Sequence, residues 1–160
     1  MSGETPTLSM EGSTALRAIL WGGLIAGALD ITAAFINSAL HGRSPLWVLQ
    51  SIASGLLGAN SYKGGFVTAA LGLGIHFLIA TVACVLYYVA SRKISFLTQH
   101  FIVCGLLYGI PVYGFMNLIV LRLAFPGRPA PPVSAVITQL LILMFCIGLP
   151  ISAAVHHYSK

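Results

Sequence analysis

Residues 66–90 read FVTAALGLGIHFLIATVACVLYYVA, and this stretch decides the fold. It contains no Asp, Glu, Lys or Arg, and most of its side chains are apolar. A helix needs about 20 largely apolar residues to cross the hydrocarbon core of a bilayer. Every backbone N–H and C=O in that core must be bonded within the protein, so an apolar run of this length has to be helical. The stretch therefore predicts a transmembrane helix.

Three further runs have the same character and cover about 16–40, 101–125 and 133–156. Of the 160 residues, 58% are apolar and only 7% are charged, whereas soluble domains have about 25% charged residues. This composition excludes a soluble domain, a disordered chain and a coiled coil. It predicts an all-α integral membrane four-helix bundle. The bundle forms a single transmembrane domain over 15–160, after a disordered polar tail at 1–14.

A shorter helix is predicted between the first two spans, over about 45–59. Ser44 is a suitable N-cap, and Pro45 stands in the first turn, where proline is favoured. One face of this helix is apolar and consists of Leu49, Ile52, Ala53 and Leu56. The segment is too short to span the membrane. We therefore expect an interfacial helix that lies at the membrane surface or against the bundle.

Basic residues flank the spans and produce the net charge of +5. Such residues are expected beside anionic lipid, so the basic balance indicates a bilayer and no nucleic-acid partner. Their numbers are tied between the two membrane faces, with Arg17, Arg92, Lys93 and Lys160 on one and Arg43, Lys63, Arg122 and Arg128 on the other. If Arg122 folds into the bundle, the positive-inside rule puts both termini in the cytoplasm, which is our prediction.

Small residues spaced four apart indicate where helices approach closely. The pairs are Gly23 with Gly27, Ala70 with Gly74, and Gly105 with Gly109. Such pairs are common at helix contacts in lipid, and they serve either packing within one bundle or dimerisation. Pro111 and Pro150 lie inside the third and fourth spans, and each is expected to bend its helix.

A polar set is predicted inside the membrane, with one member from each span. It consists of Asp30, His76, Asn117 and Gln139, with Arg122 at its rim. An ionisable group at mid-membrane costs roughly 2.5 kcal/mol or more unless it is paired or hydrated, so Asp30 should face the bundle interior. Two interpretations stay open. One is an interhelical hydrogen-bond network that fixes helix register. The other is a proton-linked or small-solute site in which Asp30 titrates beside His76.

Histidines near one membrane face allow a b-type haem as an alternative, since membrane bundles can hold haem between paired histidines. His100 and His156 are the candidate axial ligands, although interfacial histidines also simply hydrate among lipid headgroups. The three cysteines stand apart within apolar runs and indicate neither disulfides nor a zinc site. No nucleophile elbow, phosphate loop or HExxH motif is present. The sequence therefore predicts no cofactor or metal as its first interpretation, and gives no support for an enzyme.

Five stretches together resemble a family of small uncharacterised bacterial inner-membrane proteins with four predicted transmembrane helices. They are GLIAGALD (23–30), LQSIASGLLG (49–58), LGLGIHFLIA (71–80), GLLYGIPVYGFMNLIVL (105–121) and MFCIGLP (144–150). The resemblance runs from the first span to the fourth. It implies the architecture and a bacterial inner-membrane location, and no activity. The chain departs from the family pattern at Arg122, where proline is usual, and at Leu143, where histidine is usual. The second departure counts against a metal or haem site built on the fourth span.

Three functions are compatible with these features. The primary prediction is a structural or accessory subunit that packs against a larger membrane complex, with other membrane subunits as partners. The alternative is a proton-linked carrier of a small solute. Because one copy has few helices for a transport path, that function requires self-association into a homo-oligomer. The third is a haem-binding redox subunit.

Overall fold

The computed structural model describes residues 6–127 and 129–159, with side chains from residue 12 onward. In chain order its helices are α1 (Pro6–Leu40), α2 (Pro45–Leu57), α3 (Gly65–Lys93), α4 (Phe96–Gln99), α5 (Phe101–Ala124) and α6 (Val133–Tyr158). A 3-10 turn at Gly58–Lys63 joins α2 to α3. Four helices, α1, α3, α5 and α6, are long and apolar enough to cross a membrane. The all-α four-helix prediction is confirmed, and the chain is a multi-pass membrane protein.

Helix α1 begins earlier than the sequence indicates. The predicted disordered tail at 1–14 is wrong for residues 6–14, which form the first turns of α1. Residues 1–5 lie outside the described part of the chain. Proline is favoured in a first turn because its missing N–H leaves no helical bond unmade. Once the apolar span is helical, each added residue gains one backbone bond, so the helix extends through the polar sequence.

Helices α1 and α3 pack through the glycines of α1. A Cβ atom at Gly23 would lie 2.9 Å from the Thr81 hydroxyl oxygen, and one at Gly27 would lie 2.8 Å from the Phe77 ring. Only a residue without a side chain allows this approach. The Gly23 and Gly27 pair therefore lies at a helix contact within the bundle, as small residues do in lipid.

Helices α5 and α6 approach in the same way. The Cβ position of Gly105 falls against Ser152 and the carbonyl of Gly148, and that of Gly109 falls 2.6 Å from the Met144 backbone. The predicted pair of small residues on α3 does not lie at such a contact. Ala70 and Gly74 are exposed, and no atom of the described residues lies within 4 Å of the Gly74 Cβ position. Packing within the bundle is therefore not the role of this pair, because α3 turns a different face, with Ala69 and Gly72, toward the protein, and dimerisation stays the prediction for it.

Helices α5 and α6 each contain a π-helical turn, at Met116–Val120 and Leu143–Gly148. Pro111 lies within the helical stretch Phe101–Phe115, and Pro150 is the second residue after the second π turn. Proline has no N–H to donate. A change of hydrogen-bond register just before Pro150 lets α6 continue past it. The departures from α-helical bonding thus lie in the π turns, which the sequence analysis did not anticipate.

One half of the bundle is closely packed, at the membrane face where α3 ends and α5 begins. The Tyr87 hydroxyl donates to the Leu97 carbonyl at 3.0 Å, and the Tyr108 hydroxyl donates to the Ala83 carbonyl at 2.8 Å. The two tyrosine rings meet edge-on with centroids 4.9 Å apart. Around them packs a cluster of buried apolar residues: Ala26, Ala80, Cys84, Leu143, Ile147, Ile151 and Val155. We call this the packed half.

Helix α2 begins as its sequence predicts. The Ser44 hydroxyl accepts a hydrogen bond from the Trp47 N–H at 3.2 Å, and Pro45 occupies the first turn. The helix packs on α3, where the absence of a side chain at Gly72 leaves space for the Leu49 carbonyl. Gly72 lies seven residues into α3, roughly 10 Å from its first residue along the axis. Helix α2 is therefore tucked against the bundle.

The buried face of α2 coincides only in part with its apolar face, of which Ala53 is fully buried. Gln50 and Ser54 are buried, whereas Leu56 is 73% exposed. The Gln50 side-chain amide donates to the Gly65 carbonyl at 3.1 Å, and the Ser54 hydroxyl donates to the Ser51 carbonyl at 2.7 Å. Polar side chains bonded in this way are acceptable in an interior. Leu56 can face the lipid at no cost, because lipid tails are as apolar as the interior of the protein.

Candidate solute-binding cavity

The other half of the bundle encloses a cavity of about 700 Å³. All four spans contribute to its wall, and the packed half forms its floor through Ala80, Ala83 and Ile147. Its mouth lies at the membrane face where α1 ends and α6 begins. The first half of α6, Val133–Ile142, buries none of its residues, which fits a helix that borders open space.

The structure brings together the four polar residues that the sequence singled out. Asp30 of α1, His76 of α3, Asn117 of α5 and Gln139 of α6 all line this cavity. Arg122, expected at the rim, does not line it and is exposed. Successive helical residues are rotated by about 100°, and Leu121 is the residue that faces the cavity. The prediction for Arg122 is therefore wrong, and the argument that put both termini in the cytoplasm loses its basis.

Asp30 and His76 form a close but incomplete pair. Their side chains are 15% and 12% exposed, and His76 Nε2 lies 4.0 Å from Asp30 Oδ2. The same nitrogen lies 2.9 Å from the carbonyl oxygen of Gly27. A carbonyl only accepts, so Nε2 carries a hydrogen and donates it to Gly27. That hydrogen is then not available to the carboxyl group of Asp30.

The carboxyl group of Asp30 therefore receives no hydrogen bond from His76. Its Oδ1 atom is buried and receives no hydrogen bond from any residue in the described part of the chain. A buried charge without a partner is costly inside a membrane. Such a group gains most from a proton, a cationic ligand or a hydrogen-bond donor that enters the cavity.

Asn117 and Gln139 keep polar capacity for a ligand. Asn117 stands in the π turn Met116–Val120, and its side-chain amide donates to the Tyr113 carbonyl of its own helix at 3.1 Å. Its side-chain oxygen and second amide hydrogen take no part in that bond. Of the four polar residues, His76 alone bonds to another helix within the described residues. The geometry therefore favours a binding site over a hydrogen-bond network that locks the helices.

Several cavity residues escaped the sequence analysis. Polar groups near the mouth are Ser38, His41, Arg43, Ser134 and Thr138. Arg43 is held over the Trp47 ring, with its guanidinium carbon 4.2 Å from the ring centroid. A usable signal was present on α6, because Ser134 and Thr138 are four residues apart and share a helical face. The loop residues gave no such signal, since their positions depend on how the chain leaves α1.

The candidate haem ligands lie at the opposite face, beside the packed half. His156 Nδ1 contacts the Thr98 carbonyl at 2.6 Å, and its ring stacks on Phe101 with centroids 4.4 Å apart. His100 is exposed, and its ring lies 4.5 Å from that of Phe96. Among the described residues, no three His, Cys, Asp or Glu side chains come together as a metal site would require. The structure thus packs His156 against α4 and the start of α5, and it places the His100 ring beside Phe96.

No family model, curated protein or solved structure matches this chain. The resemblance to small bacterial inner-membrane proteins therefore stays a prediction. Function has to be argued from the cavity itself. Its chemistry is that of a membrane-embedded carboxyl group beside an imidazole, with amide and hydroxyl groups on the opposite wall. This arrangement can hold a proton on the Asp30 carboxyl group and can bind a small polar molecule beside it.

Proposed function

We propose that this chain is a proton-linked carrier of a small polar solute, with the solute bound in the cavity and Asp30 as the proton-carrying group. The observation that carries the proposal is the buried Asp30 oxygen, which lacks a hydrogen-bond partner among the described residues. A carboxyl group that serves only structure is normally paired or hydrogen-bonded. One that binds a proton and a solute in turn needs an unoccupied oxygen.

The division of the bundle supports the same proposal. A carrier alternates between states that are open to opposite membrane faces around a site near the midplane. Here one half is closely packed around Tyr87. The other half contains the cavity, which polar residues line from the mouth inward to Asp30. This is the shape expected of a state open to one face. The proposal includes a homo-oligomer, and a bacterial inner membrane in line with the resemblance.

Exchange in liposomes tests the function directly. Purified protein is reconstituted with the pH dye pyranine inside, and an outward gradient of tetramethylammonium is imposed. This small cation is permanently charged and does not cross as a neutral base. Efflux coupled to proton uptake acidifies the interior. Asp30→Asn should abolish the signal, and Thr32→Val, at an exposed position of the same helix, should leave it unchanged. Wild-type exchange no faster than that of protein-free liposomes would contradict the proposal.

The accessory-subunit hypothesis has no comparable observation in its favour. The exposed apolar side chains of the spans are covered by lipid as readily as by a partner. Native purification in mild detergent separates the alternatives. A homo-oligomer agrees with the carrier, and a stoichiometric second chain indicates an accessory subunit. A Soret band in the same sample would indicate haem.

A further inference from the structure

A second concave surface lies beside the cavity and has a different character. It is a groove of about 1200 Å³ between α2, α3 and the end of α5, continuing to Gly127. Its walls are mainly apolar, with contributions from Trp47, Leu56, Ile75, Phe115, Leu123 and Phe125. Since it runs along helices that face lipid, an apolar occupant fits it and a polar solute does not.

Only a thin partition separates this groove from the polar cavity. Ile52, Ile79, Met116 and Leu121 line both spaces. Met116 is a flexible side chain in the π turn of α5. Ile52 belongs to α2, whose ends adjoin Gly42 and Gly58, both with positive φ. The two spaces are therefore separated by the side chains of these residues alone, and Met116 is the most flexible of them.

We infer that the cavity and the groove form one bipartite site for a single-chain amphiphile with a cationic head, the head lying at Asp30 and the alkyl chain in the groove. This rests on the proposed function and names the substrate class for it. A cationic head is complementary to Asp30, the one acidic residue within the four predicted spans. An alkyl chain is complementary to the apolar groove, and the molecule enters sideways from the lipid past the partition.

A phospholipid with an anionic head is the competing occupant. Arg43, Lys63 and Arg122 lie near or beside groove residues and would attract its phosphate. Such a lipid would keep its head near Arg43 at the mouth, because a head of the same charge as Asp30 is repelled from the interior of the cavity. Occupation of both spaces by one molecule therefore selects the cationic head.

The test is binding of a series of alkyltrimethylammonium ions to the full chain in lipid nanodiscs, with empty nanodiscs as the baseline. Tetramethylammonium probes the cavity alone, and longer members probe the groove. Each methylene transferred from water to the groove should raise affinity by about fourfold until the groove is filled. Asp30→Asn should abolish specific binding of every member.

Two variants fill the groove with a large side chain, one from α2 and one from α3. Gly55 lies in α2 with its Cβ position 3.4 Å from Ala124, and Ile75 lines the groove from α3 without lining the cavity. Gly55→Trp and Ile75→Trp should each leave tetramethylammonium affinity unchanged. Each should remove the increase of specific binding with chain length that remains after the signal of empty nanodiscs is subtracted. Using both variants covers the case in which one of them fails to fold.

The outcomes separate this inference from the proposed function. If tetramethylammonium binds wild type through Asp30 without any chain-length dependence above the baseline, the bipartite site is overturned and the carrier stands. If neither groove variant changes the chain-length dependence, the alkyl chain lies elsewhere and the inference also fails. A phosphatidylglycerol molecule that stays bound to wild type and excludes the longer ions overturns it as well. If no member binds wild type above the baseline, the carrier proposal fails with it.

Discussion

Asp30 combines a charge, burial and an oxygen without a partner in the described structure. We predict that Asp30→Asn abolishes proton-linked exchange while it leaves the folded protein as stable as wild type or more stable. A charged aspartate near the bilayer centre costs roughly 2.5–3.5 kcal/mol, and relieving a part of this cost should give a gain of up to about 1 kcal/mol. Thermal unfolding in detergent measures the stability. A marked loss of stability would show instead that Asp30 holds the helices together.

His76 joins α3 to α1 through its hydrogen bond to the Gly27 carbonyl. His76→Phe keeps a ring but removes this bond, and bonds of this kind contribute about 0.6 kcal/mol on average in membrane proteins. We therefore expect a small loss of stability and a much larger loss of exchange, because the imidazole next to Asp30 is gone. The dependence of exchange on pH should change as well, because Asp30 then has no imidazole beside it.

His157→Phe is the matched control for this prediction, since His157 is exposed near the end of α6. It should change neither the stability nor the pH profile. Cys146 of α6 is another titratable side chain whose charge would interact with that of Asp30. The variant Cys146→Ala therefore has to be compared in the same pH series. A pH profile for His76→Phe equal to that of wild type would assign the proton step to another group.

At the residue level the sequence identified the interior of the cavity and missed its mouth. Asp30, His76, Asn117 and Gln139 are conspicuous because a polar side chain inside an apolar run needs a reason to be there. His41 and Arg43 lie in a turn whose polar residues look like any other loop. Arg122 looked equally significant by its position in the sequence. Whether such a residue enters the cavity depends on the side of the helix on which it lies. The side that faces the cavity depends on packing between helices, which sequence spacing alone does not define.

At the level of elements, the docking of α2 on α3 depends on one glycine. A Cβ atom at Gly72 would collide with the Leu49 carbonyl, whereas the Gly74 Cβ position meets no atom of the described residues within 4 Å. We predict that Gly72→Ala destabilises the protein by about 1–3 kcal/mol, the usual range for overpacking. Gly74→Ala, two residues away on the same helix, should change stability by less than about 0.5 kcal/mol.

Undocking can be followed separately from global stability. Ala53 of α2 is fully buried, so Ala53→Cys should react slowly with a maleimide. In combination with Gly72→Ala the reaction should become much faster, and in combination with Gly74→Ala it should not. Equal reactivity in both backgrounds would mean that α2 does not depend on Gly72 for its position.

The sequence predicted the elements better than their contacts. The bounds of the four spans follow from hydropathy alone, and the start of α2 follows from its Ser44 cap. The mixed buried face of α2, with Val48, Gln50, Ala53 and Ser54, does not follow from its sequence pattern. Apolar residues turn inward in water, and in lipid that preference disappears. The π turns were missed because no local pattern of residues separates them from an ordinary helix. Both π turns border the cavity. This agrees with the frequent occurrence of π turns at functional sites.

Across the whole molecule, the unequal packing of the two halves predicts unequal access from the two sides of the membrane. Ser38 lines the cavity near its mouth, whereas Ser152 is fully buried in the packed half. Serine to cysteine is a small change at both positions. In a background with the three native cysteines, Cys84, Cys104 and Cys146, replaced by alanine, Ser38→Cys should react with a membrane-impermeant methanethiosulfonate reagent and Ser152→Cys should not.

The side from which Ser38→Cys reacts also establishes the orientation. Reaction in intact cells means that the α1–α2 turn is external and both termini are cytoplasmic. Reaction only in inverted vesicles means the reverse. If the chain is a carrier, tetramethylammonium and a pH gradient should shift the reactivity of Ser38→Cys, because they change the share of molecules open to that face. The same treatment in an Asp30→Asn background should have no effect. Reactivity that never responds to solute or pH would describe a static cavity and would favour a structural subunit over a carrier.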